Sequence, residues 1–251
     1  KPLLSLVEGP THSNSDNLPS DFIKSLEISY KGQMRQRFLM GKWGGYEGLV
    51  YPAYDSTMHL IQHANMLYYL KQLQENGFKV DWIEGYDHGL AVPACYLLAF
   101  IDPQGAICVI DGIYEKEWVI AKISREITSL RRKYIGIWDE RIWADPAIFR
   151  RGAGSKDIVG KTTAGIFAEC NIAMRRGNND ITSGVQKVSE YLEVHEGVVN
   201  PFTGAERAPM IYFSTNIGFV EDEITQYSWK KDPVTQEPID VPVGRNDHAV
   251  D

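Results

Sequence analysis

Residues 80–115 read VDWIEGYDHGLAVPACYLLAFIDPQGAICVIDGIYE, and no other part of the chain says as much about its architecture. Three apolar runs rich in β-branched and aromatic residues, at 80–86, 94–101 and 106–114, are separated by Asp87-His88-Gly89 and by Asp102-Pro103-Gln104-Gly105. Short apolar runs bounded by turn residues are strands. The second separator is a tight hairpin turn, so three consecutive antiparallel strands are the economical reading.

Working outward, the pattern changes to alternation of helix and strand. Ile120, Ile123, Ile127, Leu130 and Tyr134 recur at spacings of three and four, as on one face of a helix. Arg141-Ile142-Trp143-Ala144 then reads as a short strand, closed by Asp145-Pro146. A strand is expected over 171–174, a helix carrying Ile181, Val185, Val188 and Leu192, a strand over 209–213, and an amphipathic stretch through Ile217, Val220, Ile224 and Tyr227. Upstream, Leu60, Ala64 and Leu67 predict a helical stripe that stops at Asn76-Gly77. A meander followed by helix-separated strands predicts an α/β fold, a mixed sheet with helices on both faces. The ribonuclease H-like fold has that order.

Towards the N-terminus the style differs. Residues 9–17 are loop chemistry, Pro19-Ser20-Asp21 introduces a short helix with Phe22, Leu26 and Tyr30, and residues 46–55 read as a connector into a larger domain. The division expected is 1–45 and 46–251.

With 43% hydrophobic and 24% charged residues, the 251-residue chain is globular, which excludes disordered, collagenous and fibrous classes. No apolar run approaches the roughly 20 residues of a membrane span, and no complete signal peptide is legible, so a soluble intracellular protein is expected. Cys95, Cys108 and Cys170 lack CxxC spacing, which predicts neither disulfide nor zinc site. The net charge of −7, from 26 basic and 33 acidic residues, argues against gripping nucleic acid by bulk electrostatics. Basic residues nonetheless cluster at Arg125, Arg131, Arg132 and Lys133, at Arg150, Arg151, Lys156 and Lys161, and at Arg175 and Arg176. Solvated faces account for such clusters in the ordinary case.

Asp87 and Asp145 each stand at the end of an expected strand, where neighbouring strands bring such residues together. The chain closes on Arg245-Asn246-Asp247-His248-Ala249-Val250-Asp251, and His248 and Asp251 share a face if that segment is helical. Carboxylates with one histidine suit hard divalent ions, Mg²⁺ or Mn²⁺. Two such ions roughly 3.5–4 Å apart support in-line attack of water on a phosphodiester. The plainer reading is also open, since Asp-His-Gly is ordinary turn sequence and Asp-Pro an ordinary strand terminator. Gly154 to Thr163 imitates a phosphate loop but has five residues between Gly154 and Gly160 where the motif has four. His59 and His63 are four apart without a third zinc ligand nearby, and no Gly-x-Ser-x-Gly elbow occurs. The aromatics read as packing residues rather than base-stacking platforms.

Taken together, the segments resemble the large terminase subunit of tailed bacteriophages, over nearly the whole chain. Residues 37–43 with Glu47-Gly48-Leu49-Val50-Tyr51-Pro52 look like that family's hinge between motor and nuclease. Residues 84–89, 142–146 and 246–251 look like its three metal-binding blocks. The resemblance implies a metal-dependent endonuclease that cuts concatemeric viral DNA during packaging. It also implies that residues 1–45 are the tail of an ATPase motor domain and linker. It assigns Asp87, Asp145 and Asp251 as catalytic and Asp87, Asp145, His248 and Asp251 as ligands of two Mg²⁺ or Mn²⁺ ions, with Asp247 as an alternative or supporting ligand. Arg150, Arg151, Lys156 and Lys161 are the expected contacts to double-stranded DNA, made without strong sequence readout. The implied partners are the portal protein, the small terminase subunit and the motor domain of the same polypeptide, with no membrane. The implied location is the host cytoplasm rather than the virion. The segment 196–208 reads as a projecting hairpin near the terminal motif that gates it. A non-catalytic docking module for the portal or small subunit, and a ribonuclease H-like recombinase or resolvase, are the alternatives.

Overall fold

A computed structural model describes residues 11, 17–19, 48–135, 141–150, 161–235, 238–244 and 247–250. The expected domain boundary at 45/46, the hinge block at 37–43 and the helix expected around 22–30 lie outside the described residues. Residues 48–51, by contrast, are stitched into the domain. Leu49 bridges Ser228, Val50 N–H donates to Tyr227 O at 2.9 Å, and Val50 and Tyr51 are buried.

Asp55 opens the first full element, because its carboxylate accepts from Thr57 N–H at 2.9 Å and caps α1 (Ser56–His59). β1 (Leu60–Ile61) and α2 (His63–Glu75) follow. The expected helix therefore begins at His63. Leu60 and Ile61 instead pair in parallel with Phe213 and Ser214, a non-local partnership that a local stripe does not reveal.

The meander forms as expected, as β2 (Asp81–Asp87), β3 (Ala94–Ile101) and β4 (Ile107–Glu115). Its hairpin is set by Asp102, whose Oδ1 accepts from Gln104 N–H and Ala106 N–H, both at 2.8 Å. Gly105 there takes a φ of +87°, which favours glycine. α3 (Ile120–Tyr134) buries Ile123, Ile127 and Tyr134 and carries Arg131, Arg132 and Lys133 in its last turn, where cations suit the helix dipole. β5 (Ile142–Ala144), a 3₁₀ turn at Pro146–Phe149, α4 (Thr163–Glu169) and β6 (Met174–Arg176) come next. The strand expected over 171–174 starts three residues later, because Asn171 takes a left-handed φ of 61° as the chain leaves α4.

α5 (Ile181–Leu192), the two-residue strands β7 (His195–Glu196) and β8 (Arg207–Ala208), β9 (Ile211–Ser214) and α6 (Gly218–Ile224) lead to β10 (Trp229–Lys231) and β11 (Pro238–Pro242). The main sheet has the order β1-β9-β4-β3-β2-β5-β6, with β3 antiparallel to both neighbours and the remaining pairs parallel. Alternation along β3 divides the core between its faces. Tyr96, Leu98 and Phe100 pack with Met66 and Leu70 of α2, Ile123 and Ile127 of α3 and Phe167 of α4. Leu97 and Ala99 meet Leu192 and Val188 of α5 and Val220 and Ile224 of α6. Helices thus cover both faces, and the ribonuclease H-like mixed sheet expected from the sequence is the fold observed.

Candidate active site

β2 and β5 run in parallel with Gly85 opposite Trp143 and Tyr86 opposite Ala144. Asp87 ends β2 and Asp145 follows the last residue of β5, so both acids stand at the same end of this strand pair and line one cavity. Two carboxylates that lie 58 positions apart in sequence are thus brought to one end of the sheet by strand pairing. β6 adds Arg175 beside Trp143 and Arg176 beside Ala144, and Gly177 N–H donates to Ala144 O at 2.8 Å. The C-terminal ends of three parallel strands therefore meet at one place, where α/β sheets commonly bind ligands.

Each carboxylate is held by its surroundings. Asp145 Oδ1 accepts from Ala147 N–H at 2.5 Å as the cap of the 3₁₀ turn, and Pro146 at the first position suits that turn. After Asp87 the chain folds back tightly: a Cβ on Gly89 would lie 2.2 Å from Pro93 O, so only glycine fits. Asp87 Oδ2 meets His248 Nδ1 at 2.8 Å, with the two side chains 26% and 17% exposed. His88 bonds Tyr86 through its Nδ1 at 2.9 Å, and burial holds its pKa below the ordinary histidine value although Asp87 pulls the other way.

The segment 247–250 is a turn, with Val250 N–H donating to Asp247 O at 3.1 Å. Buried Glu223 anchors it: Oε2 accepts from Ala249 N–H at 2.5 Å while Oε1 accepts from Tyr114 OH. Ala249 and Val250 pack against the α5 side of the core. Asp87, Asp145 and His248 line one cavity of about 350 Å³, together with Cys95, Trp143, Gly177 and Asp180. Burial, reinforced by Glu223 and Asp87, raises the Cys95 thiol well above its ordinary pKa, so it stays protonated.

The structure thus brings Asp87, Asp145 and His248 to one cavity, while Asp247, in the same turn as His248, is not among the residues that line it. Asp251, Arg151 and Lys156 lie outside the described residues. Arg150 is exposed just past the 3₁₀ turn, and Lys161 pairs with Glu169 at 2.6 Å. Among the described residues, no three His, Cys, Asp or Glu side chains are grouped so as to hold a metal ion. Asp87, Asp145 and His248 line the same cavity, and carboxylate and imidazole are donor types that hard divalent ions accept, but the three side chains are not gathered into a ligand set.

One reading of the sequence is corrected. The hairpin of β7 and β8 does not stand over this cavity. Its Phe202 packs on Tyr69 and Tyr212 with ring centroids 5.3 and 5.0 Å away, and Val199 O accepts from Gln104 in the β3–β4 turn. That turn is at the opposite end of β3 from Cys95, the partner of Asp87, so the hairpin does not gate the site. The nitrogens of His59 and His63 are taken up by neighbouring groups of the fold. His59 spends its nitrogens on Asp55 and on Leu192 O, and His63 meets Ser214 Oγ at 2.8 Å and Tyr134 OH at 3.3 Å. Glu223, Asp180 and the Trp143–Arg175 pair are site features that sequence reasoning misses. Only the place of Asp180 ahead of a helical stripe and of Trp143 two residues before Asp145 signals them.

Comparison with solved structures defines the fold at two levels. The mixed sheet with helices on both faces is that of a ribonuclease H-like fold. More narrowly, the fold is that of the nuclease part of a large terminase. The large terminase from a thermophilic bacteriophage, in complex with ADP, matches 94% of this chain with a TM-score of 0.55 at 16% identity, over 50% of its own length. The P22 large terminase nuclease domain matches 81% of this chain and 87% of its own, with a TM-score of 0.52 at 12% identity. The chain thus spans about half the length of the thermophilic phage protein. No protein-family profile and no curated protein sequence matches it.

Proposed function

We propose that the chain is a metal-dependent DNA endonuclease that cuts concatemeric viral DNA during genome packaging. The observation that supports this reading is the parallel pairing of β2 and β5, at whose common end Asp87 and Asp145 line one cavity, in a fold similar to that of a terminase nuclease domain. Asp87, Asp145 and His248 would hold Mg²⁺ or Mn²⁺, with Asp251 completing the set and Asp247 as alternative ligand. Two such ions, when bound, supply an activated water and charge neutralisation at the scissile phosphate.

The chain's own residues do the positioning. The His248 contact orients the Asp87 carboxylate, the 3₁₀ cap fixes Asp145, and Glu223 ties the backbone of the 247–250 turn to the sheet. Arg150, with Arg151, Lys156 and Lys161, contacts the backbone of double-stranded DNA without reading its sequence. The partners in this reading are a motor domain of the same polypeptide, the portal protein and the small terminase subunit, acting in the host cytoplasm.

The test is cleavage of supercoiled plasmid in Mn²⁺, in Mg²⁺ and in EDTA, with Asp87→Ala and Asp145→Ala beside the parent. Metal-dependent nicking and linearisation that disappears in both variants supports the reading. Intact plasmid in every metal, or variants that cut like the parent, overturns it.

A further inference from the structure

β6 is the outermost strand of the sheet, beside β5, and the chain that follows it, from Gly177 to Ile181, lines the cavity. Its two arginines are unusual in how they are held. Arg175 lies with its guanidinium carbon 3.7 Å from the centroid of Trp143, and Arg176 lies 5.2 Å from that of Phe149. The ion-paired arginines among the described residues are Arg131 and Arg207, so neither Arg175 nor Arg176 meets a carboxylate there. Arg175 Nε is moreover buried without a hydrogen-bond partner.

A buried donor without a partner is rare in native structures and asks for a ligand. With Nε covered, a guanidinium laid on an aromatic ring presents its two Nη groups in a fixed plane, a geometry that suits phosphate. Trp143 itself is out of place as a packing residue, because it is 44% exposed. It stands opposite Gly85, two residues before Asp87 on the same face of β2, and it lines the cavity with Asp87 and Asp145. That cavity also carries Asp180, so its carboxylates repel a phosphodiester unless cations stand at the rim.

We propose that Arg175, held on Trp143, is a phosphate clamp for the DNA backbone on the face of the sheet that carries Asp87 and Asp145, whereas Arg176, the next residue of β6, turns to the other face with Phe149 and takes no part. The clamp rests on the reading of that centre as a DNA nuclease. Its ligand is the polynucleotide backbone, without base readout. Arg175 holds the phosphate; Trp143 is a positioning residue that keeps the guanidinium flat and pre-oriented. Lys161, matched to Glu169, is correspondingly a weaker contact.

The test is fluorescence anisotropy with a labelled duplex of about 30 base pairs in EDTA, from about 50 to 200 mM salt, with plasmid cleavage in Mn²⁺ run on the same proteins. Arg175→Ala is expected to weaken binding roughly five- to tenfold and to make the salt slope shallower by about 1. Arg176→Ala, which removes a charge from the opposite face of β6, is expected to leave affinity and slope near the parent's. Trp143→Ala, which keeps every charge, is expected to weaken binding about threefold, while Trp143→Phe binds like the parent because a ring remains. Arg175→Ala binding with the parent's affinity and slope overturns the clamp, and an unchanged Trp143→Ala overturns the positioning role. If the parent cuts plasmid and Arg175→Ala does not alter binding, the clamp alone falls. If the parent neither binds nor cuts, the nuclease reading falls and the clamp with it.

Discussion

Glu84 and Asp87 sit three residues apart on one strand and face opposite sides of the sheet, and their surroundings differ in every respect. Glu84 is 3% exposed, receives both Nε and an Nη of Arg131 at 2.7 and 2.6 Å, and accepts from Tyr96 OH at 2.5 Å. Asp87 opens on a cavity and has His248 as its hydrogen-bond partner. A buried charge is tolerated only when its lone pairs are filled. A carboxylate with free lone pairs at a cavity wall is available for chemistry. The same residue class on the same strand is thus a structural brace on one face and a candidate ligand on the other.

The sharpest way to break that contrast is Asp87→Ala. Cleavage of plasmid is expected to fall on the order of a thousandfold, several kcal/mol of transition-state stabilisation. Unfolding in urea is expected to move by about 1 kcal/mol or less. A stability loss as large as that of a Glu84 variant would erase the distinction. Glu84→Ala is expected to cost about 3–5 kcal/mol in the same urea measurement, because it strands the Arg131 charge in the core. Replacing Glu84 and Arg131 together by methionine is expected to recover most of that loss, and failure to recover would show that the pair does more than satisfy itself.

His248→Ala is expected to lower cleavage roughly 10–100-fold, the usual consequence of removing a group that orients a metal-binding carboxylate. Steady-state cleavage assays check it, and an unchanged rate would remove His248 from the site. The smallest effect expected is on pH. Burial depresses the pKa of His59 and of His63 below the ordinary 6.5. As pH falls through 6.5 the unfolded chain takes up protons that the folded chain refuses. Stability is therefore present above that pH and lost below it, as urea midpoints at pH values on either side would register. His59→Gln is expected to flatten the dependence.

Much of the fold is legible in the sequence because local chemistry decides it. The meander follows from three apolar runs and from Asp102 and Gly105 at the turn, and the α3 stripe from Ile123, Ile127 and Tyr134. Leu60 misleads, since an apolar residue four before Ala64 looks helical while its strand partner Phe213 lies far away in sequence. Asp87 and Asp145 are legible as strand-end acids. Glu223 is not, because a carboxylate inside an amphipathic helix gives no sign that it will meet Ala249 N–H. Trp143 disappears into the general reading of aromatics as core, since exposure is a property of the sheet edge rather than of the residue. The place of the 196–208 hairpin depends on Phe202 finding Tyr69 and Tyr212, which no local pattern announces.

The contact between Asp87 and His248 spans 161 positions of chain, whereas the meander closes through neighbours. Contacts of such span are slow to form, because the intervening chain must first be ordered. The sheet is therefore expected to be complete, with its helices packed, before the 247–250 turn docks on Glu223 and His248 reaches Asp87. On the nuclease reading, a newly made chain passes through a folded but unarmed stage, and nascent copies spare the DNA around them until that distant turn has settled.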